Sequence, residues 1–510
     1  MQHPRHTPDT SLVNNATMTN NAAMTLSKKR LLALAGFTAA GLVLSGCAVG
    51  PNYVRPDAMA KGVATPVAFK EADGWKQATP SDEVSRQDWW RVFNDPVLND
   101  LEAQVVVSNQ NLAQSEAAYR QAKATLDQQR ATLFPTVNLT GSGTDSKSAS
   151  GFTSATGFAS PASKPVQSYT TRLGLTWDLD IWGRIRRTIE AAKATAQASA
   201  GDLANATLSA QTLVAADYFQ LREADEEKRL IDQTVKGYAD NLRIAQNRFK
   251  VGVGARSDVL SAQTQLESAQ SQAVDLVRTR AQLEHAIALL VGKAPSDLTI
   301  QIASWNPVVP AVPVSMPSSL LERRPDIAAA ERRVQAANAQ IGVQTAAYFP
   351  DLSVSGQDGF TSTVLSKLLN STSNTWSIGA TATQTVLDWG ATKAKVTGAR
   401  AAYDASVASY RQTVLTAFQQ VEDNIAALRV LQSEYDLDQA SSRDADEAEM
   451  IVNNQYQAGQ VDYTNVVVSQ NTALSARRTV LQAARSRLVA MVDLVQALGG
   501  GWSATQLAQK

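Results

Sequence analysis

The chain is 510 residues long and carries 47 basic and 47 acidic side chains, so it lacks the basic footprint of a nucleic-acid binder, and no nucleic-acid partner is expected. It has one cysteine and three histidines, of which His3 and His6 precede a candidate cleavage site. His285, inside a helical stretch, and one thiol are too little for a metal centre or for a Cys/His or Ser/His nucleophile; no enzyme activity, metal or cofactor is expected, and no disulfide can form within one chain.

The first element is a leader. Lys28-Lys29-Arg30 precede an apolar stretch over 31–44, which closes on Leu44-Ser45-Gly46-Cys47. A positive start, a short apolar core and small residues at a cut site read as a secretion signal over residues 1–46. The apolar stretch is shorter than the roughly 20 residues of a membrane-spanning helix. A cysteine directly after the cut reads as a lipoprotein signal, so Cys47 is the candidate lipidation site and the start of a lipid-anchored segment, 47–96. Ala48 follows it, where an aspartate would favour retention in the inner membrane; sorting to the outer membrane is therefore expected. No apolar run of about 20 residues follows Cys47, so any further entry into the membrane must use β-structure.

Residues 47–96 are broken up by Pro51, Pro56, Pro66, Pro80 and Pro96. Beyond them the chain is a duplication. Gly459 lies 207 residues after Gly252, and the same offset carries Trp182-Gly183 onto Trp389-Gly390, Gln263 onto Gln470 and Gly292 onto Gly499. Phe134-Pro135 maps onto Phe349-Pro350 at an offset of 215. Repeat 1 spans 97–294 and repeat 2 spans 321–499, with a linker at 295–320 marked by Pro295, Pro307, Pro310, Pro313 and Pro317, and a tail at 500–510.

Within repeat 1, Leu98 to Leu133 lacks proline and glycine and predicts one helix ended by Phe134-Pro135. Thr136 to Thr140 alternates as a strand, and Gly141 to Ser168 reads as a Gly/Ser/Thr-rich loop. A second strand places Leu173, Leu175, Trp177, Leu179 and Ile181 on one face and Arg172, Gly174, Thr176, Asp178 and Asp180 on the other. Repeat 2 echoes this with Leu352 and Val354, and with Trp376, Ile378, Ala380 and Ala382. After each Trp-Gly comes a helix of unusual length, over 184–249 and 391–457; at about 1.5 Å per residue each spans roughly 100 Å. Gly201 and Gly237 lie inside the first. Each helix ends at a glycine turn, Gly252-Val253-Gly254 and Gly459, and a return helix follows over 257–291 and 463–498.

Four amphipathic strands cannot close a barrel, and an open sheet edge in hydrocarbon leaves backbone groups unpaired. If these strands cross the membrane, several copies must build one shared barrel. The aromatic residues at the strand ends (Tyr169, Trp182, Trp376, Trp389) favour this membrane reading, since aromatics gather at the interfaces. A soluble coiled-coil rod, lipid-anchored and structural, is the alternative of a different class.

Several dispersed motifs resemble a known family. They are Gly46-Cys47-Ala48-Val49-Gly50-Pro51-Asn52-Tyr53 with Pro56, then Trp89-Trp90 with Phe93, Asp95-Pro96 and Leu98. Next come Leu320-Leu321-Glu322-Arg323-Arg324-Pro325-Asp326-Ile327 with Ala330-Glu331, Ala347-Tyr348-Phe349-Pro350, and Ala497-Leu498-Gly499-Gly500-Gly501-Trp502. In this order they resemble the TolC-like outer-membrane efflux proteins, in their NodT-type lipoprotein branch. The resemblance implies an α+β membrane protein: a homotrimer with a shared twelve-stranded transmembrane β-barrel, four strands per chain, continued by a long periplasmic α-helical barrel. It implies an exit duct for small molecules such as drugs, a periplasmic adaptor (membrane fusion) protein and an inner-membrane RND pump as partners, and contact with outer-membrane lipid. Export of proteins or of metal ions is the alternative within the same class. The family's periplasmic gate carries over onto Ser257 and Asp258 after the first turn and Tyr456 before the second, with a Tyr456 to Asp258 hydrogen bond chemically sensible. Two positions depart: Val461 stands where some relatives have a basic residue and Val468 where an acidic one is common, so an apolar constriction can replace a carboxylate ring, with Asp462 as a substitute acid. Asp258 reads equally as a helix N-terminal residue. Gly252, Gly254 and Gly459 mark the turns that an adaptor would touch. Arg323-Arg324-Pro325-Asp326 reads as architectural, with Pro325 in a first helical turn and Asp326 at the positive end of the dipole.

Overall fold

The computed structural model describes residues 48–60, 62–72, 86–147, 164–305, 307–310 and 323–500. The leader, Cys47, linker residues 306 and 311–320 and the tail from 501 lie outside the described residues. The chain forms two compact units, each assembled from three segments: Met1–Asn52, Gln129–Glu190 and Ala339–Ala399 in one, Tyr53–Gln128, Ala191–Asn338 and Arg400–Lys510 in the other.

The first unit holds one antiparallel sheet, β1 (Thr136–Ser146), β2 (Val166–Leu179), β3 (Asp351–Ser362) and β4 (Asn374–Thr383), in the order β1-β2-β3-β4. The two repeats therefore meet at the β2–β3 pairing. The strands extend beyond the alternating cores. The Gly/Ser/Thr stretch read as a loop is strand through Ser146 and again from Val166, because each residue finds a ladder partner: Gly141 faces Thr171 and Gly143 faces Tyr169. The Tyr169 ring covers Gly143, where a Cβ would lie 3.3 Å from the ring edge. An aromatic laid over a strand glycine restores the contact area that the glycine lacks.

Register aligns one face across all four strands: Val137 opposite Leu175, Trp177 opposite Val354, Gly356 opposite Ile378. Val137, Leu139, Leu173, Trp376 and Ile378 on that face are exposed in the chain. Tyr169, Phe360 and Trp376 sit toward one end of it and Trp177 toward the other. The eight residue steps from Tyr169 to Trp177 span about 27 Å of strand, near the height of the apolar band of a membrane barrel. Asp358 interrupts the face and accepts a hydrogen bond from Asn374 Nδ2 at 3.0 Å. The opposite face is mostly Ser, Thr, Gly, Asn and Gln, with Asp178 and Asp351 at one end and Arg172 lying across Gly359. A Cβ on Gly359 would come 2.2 Å from Thr171 O and 2.7 Å from Arg172 Cα, so this crossing admits only glycine.

The predicted helix over 98–133 is two helices, α1 (Pro96–Ser108) and α2 (Gln110–Ala131), broken at Asn109. The break has a side-chain cause. Asn109 is extended, its Oδ1 accepts from Asn111 N and Leu112 N, and its Nδ2 donates to Leu290 O at 2.7 Å. Asparagine thus caps a new helix and turns the chain.

Four of the remaining helices follow the sequence reading within a residue or two, α3 (Arg184–Lys250), α4 (Arg256–Leu290), α6 (Ala391–Gln457) and α7 (Tyr463–Ala497), and α5 (Pro325–Ala346) starts at Pro325, the residue read as lying in a first helical turn. Asp180 caps the start of α3 through Ile185 N and Arg186 N, and Asp388 does the same for α6 through Thr392 N. In the helical unit the contacts rest on small residues; Ala215, Ala262, Ala269, Ala417 and Ala473 are almost fully buried, which lets backbones approach closely. A buried charge cluster ties the start of the linker to the helices: Arg280 Nε reaches Asp225 Oδ1 at 2.6 Å, Arg222 Nη1 donates to Gln301 O, and Ile300 N donates to Glu284 Oε1.

Arg324 repeats the Asn109 joint in the second half. Its Nη1 donates to Ala497 O at 2.9 Å, and its fork pairs with Asp326. Ala497 is the counterpart of Leu290 at the 207 offset, so each half caps the end of its return helix with one side chain from the same joint. The architectural reading of Arg323 to Asp326 agrees with this geometry.

Candidate functional site

The glycine turns reverse the chain between α3 and α4 and between α6 and α7. Gly252 has φ 81° and Gly459 has φ 75°, both in the left-handed region that side chains with a Cβ avoid. Gly252 N donates to Phe249 O, and Val253 N and Gly254 N both donate to Arg248 O. In the second turn Gly459 N donates to Tyr456 O and Gln460 N to Gln455 O. These bonds satisfy the last carbonyls of each long helix.

One cluster joins the two turns. Arg248 Nη1 donates to Tyr456 O at 2.6 Å, and its guanidinium lies 4.8 Å from the centre of the Tyr456 ring. The Tyr456 and Tyr463 rings are 5.2 Å apart, packed with Ala245, Ala262 and Val466. Tyr456 is 2% exposed and its hydroxyl makes no hydrogen bond within the chain. The expected Tyr456 to Asp258 hydrogen bond is therefore not formed here; the Asp258 carboxylate instead accepts from Ser257 Oγ at 3.4 Å. Burial raises the Tyr456 pKa, with Arg248 opposing and Asp258 adding to the shift; burial pushes Tyr463 up to about 12.

Asp258 lies in the first turn of α4, as the helix-terminal reading predicts. Asp462 is the N-cap residue of α7, exposed and making no side-chain cap bond. Ser257 is exposed, and Val468 is 60% exposed on α7. The structure thus gathers Tyr456 with Arg248 and leaves Ser257, Asp462 and Val468 turned outward. Arg248 was missed from the sequence. The signal was there: it aligns with Gln455 in the other repeat, a charge where its counterpart has none.

In the sheet unit, the described N-terminus docks at the end of β2. Val49 N donates to Trp182 O at 2.9 Å. A Cβ on Gly183 would lie 2.7 Å from Ala48 Cα. Arg187 holds Val49 O, Gly50 O and Asn52 Oδ1. Trp182 stacks on Phe349 with ring centres 4.7 Å apart, and its Nε1 donates to Pro350 O. Its counterpart Trp389 is 91% exposed, as is much of Phe134. Among the described residues no helix is long and apolar enough to cross a membrane.

The sequence profile of the family described as outer membrane efflux protein matches residues 102–293 and 316–500. The antibiotic efflux pump outer membrane protein ArpC of Pseudomonas putida is 30% identical over 483 residues, covering 93% of this chain and 96% of its own. The toluene efflux pump outer membrane protein TtgC of Pseudomonas putida shows the same identity and coverage. The solved outer-membrane channel OprN superposes with a TM-score of 0.80 at 29% identity, covering 89% of this chain and all of that one. The chain belongs to the outer membrane efflux protein family. It is an outer-membrane efflux channel, and the reading as a structural coiled-coil rod falls.

Proposed function

We propose that three copies of this chain close their sheets into one twelve-stranded barrel through the outer membrane, continued in the periplasm by the helices, and that small amphiphilic molecules leave the cell through it. The observation that carries this reading is the sheet, with its exposed apolar face and two edges, β1 and β4, that have no neighbour among the described residues. Such edges must meet if they lie in hydrocarbon.

The duplication supplies the register of the seam. In the chain β2 meets β3 with Thr176 opposite Ser355 and Arg172 opposite Gly359. Moving β2 onto β4 by 207 and β3 onto β1 by 215 sets Thr383 of one copy opposite Thr140 of the next, and Gly379 opposite Thr144. Each pairing then holds one glycine beside one larger residue. The same operation lays the exposed Trp389 on the next copy's Phe134-Pro135, as Trp182 lies on Phe349-Pro350.

Cys47 is the lipid anchor in this reading. Ala48 and Val49 lie against Gly183 and Trp182 at an aromatic end of the sheet, which sets the acyl chains at the membrane interface. The helical turns form the periplasmic entrance. Arg248 and Tyr456 hold the two turns of one chain together, and Ser257, Asp258, Asp462 and Val468 are available to neighbouring copies. Gly252, Gly254 and Gly459 shape the surface offered to a periplasmic adaptor, and an inner-membrane RND pump supplies the energy. The relatives named for antibiotic and toluene export support small organic molecules as cargo.

The test is paired cysteines in the full chain. Thr140→Cys with Thr383→Cys is expected to give a disulfide-linked trimer that conducts in a planar bilayer, whereas Ser142→Cys with Thr383→Cys, two positions out of register, is expected to stay uncrosslinked. Absence of a pore, or equal crosslinking by both pairs, overturns the reading.

A further inference from the structure

Three side chains near one end of the apolar sheet face are left unanswered within the chain. Asp358 is a carboxylate whose cross-strand neighbours are Leu173 and Trp376. It accepts one hydrogen bond, from Asn374 Nδ2, and keeps further acceptor capacity. Trp376 is 72% exposed. Lys147 is exposed and directly follows Ser146, the last residue of β1, so the pleat sets it on the same face as Val137 and Leu139. Neither Asp358 nor Lys147 is ion-paired among the described residues. A carboxylate on an apolar face is costly unless a partner neutralises it.

The duplication brings the three together. Within the chain, Tyr169 on β2 lies between Gly143 on β1 and Ser362 on β3. The offsets that set the seam carry Tyr169 onto Trp376, Gly143 onto Asp358 and Ser362 onto Lys147. Trp376 faces Asp358 on β3 of its own copy, and its open side then meets Lys147 of the next copy. The neutral row Gly143, Tyr169, Ser362 thus becomes acid, aromatic and base, with the acid on one copy and the base on the other. The Tyr169 ring folds onto a glycine, whereas the Asp358 side chain denies Trp376 that resting place. Two strand spacings, about 10 Å, separate the Asp358 and Lys147 backbones, within the combined reach of the two side chains. Asp145, two positions before Lys147 on the same face, is the other acid nearby and forms no ion pair with it in the chain.

We infer that Lys147 of one copy crosses the Trp376 ring of its neighbour and pairs with that neighbour's Asp358, so that each seam carries a charged latch completed only by the second copy. The lysine stem lies along apolar surface while its ammonium meets the indole face and the carboxylate. Opposite charges on adjacent strands stabilise the pairing of those strands. An acid beside one edge of the sheet and a base on the other select head-to-tail closure, β4 against β1, over contacts between like edges. The inference rests on the shared barrel proposed above and adds which side chains choose the neighbour.

The test is a double-mutant cycle on the purified full-length protein, read as the rate of heat-driven dissociation of the trimer in detergent. Lys147→Gln and Asp358→Asn are each expected to speed dissociation about tenfold, the effect of one cross-strand charge pair summed over three seams. The double variant is expected to dissociate no faster than either single one. Exchanging the charges, Lys147→Asp with Asp358→Lys, is expected to recover most of what either reversal alone loses. Asp145→Asn, which removes the other acid beside Lys147, is expected to show no coupling to Lys147→Gln. The disulfide between Thr140→Cys and Thr383→Cys reports the seam separately. Additive effects of Lys147→Gln and Asp358→Asn with that disulfide intact overturn the latch and leave the barrel standing. A missing disulfide overturns the barrel reading and the latch with it. Where a charge reversal fails to assemble, the neutral cycle decides.

Discussion

The two halves of the chain agree where they pack on themselves and differ where they face outward. At the joints they are alike: Asn109 caps Leu290 O and Arg324 caps Ala497 O, while Gly292 and Gly499 hold positive φ because Ser108 O and Arg323 O leave no room for a Cβ. Elsewhere they diverge. Trp182 is stacked and bonded where Trp389 is bare; Tyr456 is buried where its counterpart Phe249 is exposed; Gln470 is buried and unpaired where Gln263 is exposed and bonded to Glu267. A duplicated sequence thus keeps the contacts that set helix direction and changes the surfaces that meet something other than itself. The joints have one geometric solution, whereas the outward surfaces answer to neighbours that differ between the halves.

Paired substitutions break or sharpen this contrast. The largest effect is expected at the sheet. Gly359→Ala drives a methyl into backbone and is expected to abolish the folded protein in the outer-membrane fraction, whereas Thr144→Ala, at the counterpart position, leaves it intact; heat-modifiable bands on gels report both. Next come the joints. Arg324→Ala removes the fork on Asp326, which keeps only the Ile327 N–H, and uncaps α7, a loss of about 1.5–3 kcal/mol for hydrogen bonds made by a charged group. Asn109→Ala removes a neutral cap and is expected to cost about 1–2 kcal/mol; denaturant unfolding ranks the two.

Glu102 comes third and has no acidic counterpart at position 317. It is fully buried in α1, neither carboxylate oxygen has a hydrogen-bond partner, and burial pushes its pKa up to about 9. Between the ordinary carboxylate range and pH 9 the folded state holds a proton that the unfolded state has lost. Stability is therefore full at acid pH and falls as pH rises, by up to about 1.4 kcal/mol per unit. Glu102→Gln is expected to flatten that slope and to raise Tm at pH 8; a slope equal to the wild type would sink the assignment. The smallest effects are expected at the turns. Arg248→Ala, by freeing Tyr456, is expected to raise closed-state conductance roughly tenfold, in line with loss of one charge-assisted hydrogen bond. Gln455→Ala is expected to do nothing, and Asp258→Ala to fall between them.

Much of the fold was legible. The long helices, the glycine turns, the return helices and the four strands all sit where periodicity put them. The break at Asn109 was missed because no proline or glycine marks it, although the 215 offset carries Gln110 onto Pro325 and would have exposed it. The strands were drawn short because Gly, Ser and Thr look like loop until a ladder partner is known. The cluster between the two turns was only partly legible. The turns and Tyr456 were visible, but the partner of Tyr456 proved to be Arg248, from the other repeat, rather than Asp258.

The sequence alone determined what is local or repeated: the duplication, the periods of two and of helix, and the glycines that reverse the chain. These follow from backbone sterics and from which residues recur at which spacing. Tertiary structure alone decided which polar groups are buried and with whom, as for Glu102, Arg248, Tyr238 and Gln470. The reason is physical. Burial and hydrogen bonding depend on side chains that approach across more than two hundred residues, a distance over which neither propensity nor pattern carries information.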